Sequence, residues 1–109
     1  MYEIKEGTAK IDNISIPVFK REVYACNSLD VVAGTNGYKG GDSGHGSRTF
    51  VKIVDTGGTD IRVKEIPESR DTNGGFELIL GGDSELHTAI KAFKFIAKAL
   101  EEMAKEVDE

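Results

Sequence analysis

The sequence predicts an α+β domain, a mainly antiparallel β-sheet packed against one C-terminal amphipathic helix. Three observations lead there. Short runs rich in β-branched and aromatic residues recur up to Leu80, and glycine clusters separate the later ones. One long stretch after Asp83 carries apolar residues at spacings of three and four. No apolar run approaches the roughly 20 residues that a membrane-spanning helix needs.

With 109 residues, 39% of them hydrophobic, the chain fits one domain over residues 1–109 that can bury a core without metals or disulfides. Short strands are expected near residues 2–5, 8–12 and 14–24, and Pro17, which cannot donate to a ladder, pushes the third toward a sheet edge. Leu29-Asp30-Val31-Val32-Ala33 reads as a strand ended by Gly34. Arg48 to Val54 and Ile61 to Lys64 read as a pair of strands joined by a hairpin turn at Asp55-Thr56-Gly57-Gly58-Thr59-Asp60. A last strand, Phe76 to Leu80, follows a segment rich in Gly, Ser and Asn. The helix then starts at Asp83 or Ser84, either of which can cap it. Its expected buried stripe is Leu86, Ala89, Ile90, Phe93, Ile96, Ala97, Leu100, Met103, Ala104 and Val107.

Charge and cysteine content narrow the function classes. The formal net charge is −5, and an acidic chain is poorly suited to sequence-independent DNA binding, although a local basic face can still hold a small anion. Cys26 is the only cysteine, so no internal disulfide forms, and it reads as a small half-buried hydrophobe. The first residues lack the basic stretch and apolar run of a secretory signal, which makes the cytoplasm the default expectation. His45, His87, Asp42 and Asp83 are too scattered for a metal-ligand set, and no cofactor motif is present.

The candidate site is the segment from Gly34 to Ser47, which holds six glycines in fourteen residues. Glycine admits positive φ and lets backbone N–H groups converge on an anion, and Thr35, Asn36, Lys39, Ser43, His45 and Ser47 add donors. That composition suits phosphate or ribose; a turned connector is the plainer alternative. It has neither the spacing of a Walker loop nor that of a dinucleotide-binding turn. Gly41-Asp42-Ser43-Gly44 matches the tetrapeptide around the nucleophile of trypsin-like proteases, but the chain is too short for that two-barrel fold. A small hydrolase or phosphodiesterase using Asp42, Ser43 and His45 stays open as an alternative.

Alternation places Thr49, Val51 and Ile53 toward the core and Arg48, Phe50, Lys52 and Val54 outward. In the expected hairpin Ile61 and Val63 share the core, Lys52 comes near Arg62, and Phe50 comes near Lys64. Like charges opposite one another are unfavourable unless an anion relieves them. The expected ligand-binding set is therefore Thr35, Asn36, Gly37, Tyr38, Lys39, Gly40, Gly41, Asp42, Ser43, Gly44, His45, Gly46, Ser47, Arg48, Phe50, Lys52 and Arg62. In it, Arg48 and Lys39 hold phosphate and Tyr38 or Phe50 stacks a base.

The runs Gly34 to Thr49, Thr59-Asp60-Ile61-Arg62-Val63 and Gly75-Phe76-Glu77-Leu78 resemble a group of small uncharacterised proteins from phages and mobile elements of Gram-positive bacteria. The likeness covers about the last two-thirds of the chain and brings no catalytic residue with it. It implies a context in which small proteins act by binding. By size and composition, the chain is similar to oligomeric sponges that sequester a cyclic dinucleotide or ADP-ribose-type immune signal. The expected partners are thus a phosphorylated nucleotide-like small molecule and further copies of the chain, with no membrane. A protein that inhibits a host protein through a sheet edge or the acidic helix is a third reading.

Overall fold

The computed structural model describes residues 4–24, 27–38 and 46–107, with side chains up to residue 104. Six antiparallel strands form two sheets packed with one C-terminal helix, the α+β class that the sequence predicts. Strands β1 (Lys5–Ile11), β2 (Ile14–Tyr24), β3 (Ser28–Thr35) and β4 (Thr49–Gly57) make a meander in spatial order β1-β2-β3-β4. A separate two-stranded ribbon, β5 (Ile61–Ile66) and β6 (Gly75–Leu80), leads into helix α1 (Asp83–Val107).

The strand expected at 8–12 begins earlier, at Lys5, and its register with β2 runs unbroken from Lys5↔Lys20 to Ile11↔Ile14; of the strand expected at 2–5, residues 2 and 3 lie outside the described residues and only Lys5 belongs to β1. Asp12 and Asn13 close that hairpin with φ of 52° and 67°. Two consecutive left-handed residues give the turn whose twist matches the flanking strands, and Asp and Asn tolerate that conformation best after glycine.

Pro17 does not mark an edge, since β2 lies between β1 and β3. It is tolerated there because the β2–β3 register stops at Val18↔Gly34, so the missing N–H falls just past the ladder. Nor does Gly34 end β3. The strand runs on to Thr35, and Gly34 sits so close to β2 that a Cβ there would strike the Pro17 carbonyl and the Val18 backbone.

The expected β4–β5 hairpin does not form. β4 pairs with β3, and β5 pairs with β6 in the other sheet. The cause lies in the connecting residues, where the Asp55 carboxylate accepts the N–H groups of Gly57 and Thr59, both at 3.0 Å. Those bonds, the Thr59 one first, hold the Asp55 carboxyl below its ordinary pKa. Thr59 is buried and donates to the Ser28 carbonyl at 3.0 Å, which turns the chain away from β4. Lys52 and Arg62 are consequently not paired across strands, and neither are Phe50 and Lys64. Val63 stays exposed while Ile61 packs on the core.

The core is Val23, Leu29 and Val31 of the sheet against Ala92 and Phe95 of α1, with Phe19, Ile53, Ile61 and Ile96 packed around it. Of the residues expected inward on β4, Ile53 packs against this cluster, whereas Thr49 and Val51 are exposed. The helix keeps Ala89, Ile96 and Met103 of its expected stripe on the core side but is rotated about them. Ala92, Phe95 and Ala99 are buried, yet Leu86, Ile90 and Phe93 are exposed, and so is Ala97. Small side chains at 92 and 99 let the helix approach β3 closely, which the bulkier residues would prevent.

Thr88 fixes this rotation from within the interface. It is fully buried and its hydroxyl donates to Asn27 Oδ1 at 2.6 Å, also buried. Thr88→Val keeps the volume and orphans that acceptor, so unfolding free energy should fall by about 1–3 kcal/mol, with Thr88→Ser losing less. Urea midpoints of the two variants check this; an unchanged midpoint for Thr88→Val would contradict it.

Candidate functional site at the root of the glycine-rich loop

The glycine-rich segment leaves the end of β3 and returns to the start of β4 through a clasp. Asn36 N–H donates to the Arg48 carbonyl at 3.2 Å, and the Arg48 N–H donates to Asn36 Oδ1 at 2.7 Å. The Asn36 amide also donates to the Gly46 carbonyl at 3.2 Å. Below it, Thr35 Oγ1 accepts from the Gly37 N–H at 3.0 Å and from the Thr49 hydroxyl at 3.1 Å. Gly37 is buried with φ of 80°, a conformation that side chains rarely adopt.

Arg48 is anchored rather than presented. Its Nε donates to Asp12 Oδ2 at 2.9 Å and its Nη1 to the Ser47 carbonyl at 2.9 Å, tying the loop root to the β1–β2 turn. The guanidinium fork expected to hold phosphate is thus at least partly occupied by the protein. Lys39, Gly40, Gly41, Asp42, Ser43, Gly44 and His45, including the three residues of the hydrolase alternative, lie outside the described residues.

The remaining predicted residues divide between the two faces of the sheet. Exposed Tyr38 borders an open cleft of about 670 Å³ on the helix side with Thr35, Ser47, Thr49 and Leu100. Phe50 and Lys52 point the other way, so Tyr38 and Phe50 are not interchangeable platforms for one ring. Arg62 belongs to neither place, since it lies on the ribbon with its Nε 3.4 Å from Asp60 Oδ1.

On the outer face the register assembles what the sequence could not. Lys5 pairs with Lys20, Lys20 with Val32 and Val32 with Lys52, which sets three lysines on one row across four strands. In the next row Gly7, Val18, Gly34 and Phe50 form an apolar floor, low because two of its members lack side chains. The resulting depression is about 420 Å³. Asp30 answers Lys20 at 3.8 Å. Cross-strand like charges repel, so an anion bound over the row would relieve them.

A second basic cleft, about 630 Å³, lies between α1 and β2. Phe19, Phe95 and Ala99 line it, and Arg21, Lys91, Lys94 and Lys98 contribute its cations, with Glu6, Glu22 and Glu102 among them. The signal that could have found it is the Lys-x-x-Lys-x-x-x-Lys spacing from 91 to 98, which places three lysines on one helix flank. Lys91 Nζ is engaged there by the Tyr24 carbonyl at 2.6 Å. Among the described residues, no group of His, Cys, Asp and Glu could hold a metal ion, and no helix is long and apolar enough to cross a membrane. Compared with known proteins, the chain matches no family model, no curated protein and no solved structure.

Proposed function

We propose that this protein binds, without turnover, a phosphorylated ligand carrying a flat ring, a nucleotide-like molecule such as a cyclic dinucleotide or an ADP-ribose derivative. The row of Lys5, Lys20 and Lys52 beside the Phe50 and Val18 floor carries this reading. Ammonium groups on neighbouring strands match phosphate oxygens, and the ring has an apolar surface with an aromatic edge to pack on. The root of the glycine-rich segment adjoins this floor, since Gly34 of the strand it leaves pairs with Phe50. Binding alone would serve sequestration of an immune signal, the role that the resemblance to phage proteins suggests.

The test is a thermal-shift panel of cyclic dinucleotides and ADP-ribose derivatives on the wild type and on Lys20→Glu with Lys52→Glu. Ligands that bind the native state raise the melting temperature. The expected result is a shift with at least one phosphorylated ligand, recovered chemically intact, and an affinity at least about tenfold lower in the double variant, the loss of roughly 1.4 kcal/mol. A recovered product would instead favour hydrolysis through Asp42, Ser43 and His45. No shift with any of them would overturn the proposal.

A further inference from the structure

Thr-Asn-Gly occurs twice in the chain, at residues 35–37 and 72–74. The fold gives both copies the same turn. Thr35 Oγ1 accepts the Gly37 N–H at 3.0 Å and Thr72 Oγ1 accepts the Gly74 N–H at 3.2 Å, with positive φ of 80° and 101° at the two glycines. What differs is the asparagine between them. Both ends of the Asn36 carboxamide are engaged in the clasp, by the Arg48 N–H at 2.7 Å and the Gly46 carbonyl at 3.2 Å, and Gly37 behind it is buried. Asn73 lies in the connection between β5 and β6, where residues 67–74 are all exposed, and among the described residues nothing hydrogen-bonds its carboxamide.

An asparagine followed by glycine can modify itself. The glycine nitrogen, once base has taken its proton, attacks the asparagine Cγ; the new C–N bond closes a five-membered succinimide, and the side-chain nitrogen leaves as ammonia. Water then opens the ring at either carbonyl, giving aspartate or isoaspartate. The step needs a carboxamide that can rotate onto the next nitrogen and a following residue with no Cβ to obstruct the approach. At Asn36 it would break both side-chain bonds and disturb a buried glycine. The other two asparagines are excluded on other grounds. Asn13 precedes Ile14, whose branched side chain crowds the nitrogen, and buried Asn27 holds the Thr88 hydroxyl at 2.6 Å. Asn73 alone meets every requirement.

We infer that Asn73 is a self-modifying site at which the folded protein converts to aspartate and isoaspartate, while the same tripeptide at the loop root is preserved by its clasp. Either product adds a negative charge to a connection that already holds Glu68, Arg70 and Asp71. Isoaspartate also routes the main chain through the side-chain carbon and lengthens it by one atom, just before β6 begins at Gly75. The change falls outside the β5–β6 ladder, which ends at Ile66↔Gly75, so the sheet and the clasp keep their bonds.

The test holds the full chain at mildly alkaline pH, samples it over time, and follows the peptides spanning the two tripeptides by mass spectrometry after chromatography that separates isoaspartate from aspartate. In the folded protein, Asn73 should convert at least about tenfold faster than Asn36, the margin set by the local opening that Asn36 needs first. In concentrated urea the two rates should converge, because the tripeptides are identical. On isoelectric focusing the intact wild type should gain acidic forms that Asn73→Gln does not, since glutamine would have to close a larger and slower-forming ring. Equal rates at the two sites in the folded protein, or faster conversion at Asn36, would overturn the inference. So would an Asn73 that stays an amide while folded and converts only in urea, or acidic forms that accumulate as fast in Asn73→Gln. A contrast undiminished by urea would overturn the role of the clasp and assign the difference to flanking sequence.

Discussion

Phe95→Ala should lower the unfolding free energy by about 3–5 kcal/mol, a large share of the 5–15 kcal/mol that holds an ordinary domain together. Phe95 is 6% exposed and belongs to the cluster of Val23, Leu29, Val31 and Ala92. It is the bulkiest side chain that α1 gives to that cluster, and truncation leaves a cavity that the neighbouring alanine cannot fill. Phe93→Ala should behave differently, because half of that ring already meets solvent within one copy. Its cost should stay below about 1 kcal/mol, as for a substitution away from the core. Urea titrations of the two variants read both effects. Equal losses from the two substitutions would mean that the helix faces the sheet with its other stripe.

Gly34→Ala should cost about 3 kcal/mol, the upper part of the range for inserting volume where none is free. The added methyl would meet main chain, the Pro17 carbonyl and Val18 Cα, rather than a side chain that could rotate away. Either β2 and β3 separate around Val18↔Gly34 or the ladder shifts, and both disturb the row that ends in Phe50. Gly75→Ala is the matched control, a strand glycine with open space around it. Thermal unfolding of the two variants should separate them by tens of per cent of the total stability, and a Gly34→Ala curve overlying that of Gly75→Ala would refute the close-packing account.

Element type was legible because β-branched runs such as Val31-Val32 and the long periodic tail each permit little else. Strand partners were less so. Thr56-Gly57-Gly58-Thr59 reads as a hairpin until Asp55 is seen to take the Gly57 and Thr59 N–H groups and Thr59 to bond Ser28, contacts that depend on a side chain and a distant carbonyl. The rotation of α1 was hidden for another reason. Apolar residues occupy more than half of its circumference, and size favoured Leu86, Ile90 and Phe93 over Ala92 and Ala99, whereas closeness to β3 required the small ones. The glycine-rich loop was visible from composition alone. The lysine row was not, because residues 5, 20 and 52 meet only through the registers of three successive strand pairs.

The Asn36–Arg48 clasp also separates the loop's length from the sheet's integrity. With both ends fastened by reciprocal bonds and braced by Asp12 and Thr35, the bonds at the root offset a closure entropy that grows only slowly with the number of intervening residues. Doubling the number of residues between them would cost only about 0.6 kcal/mol. Such a socket tolerates a longer or shorter segment between its ends while the scaffold stays the same, so insertions and deletions between Gly37 and Gly46 should be the least costly in the chain.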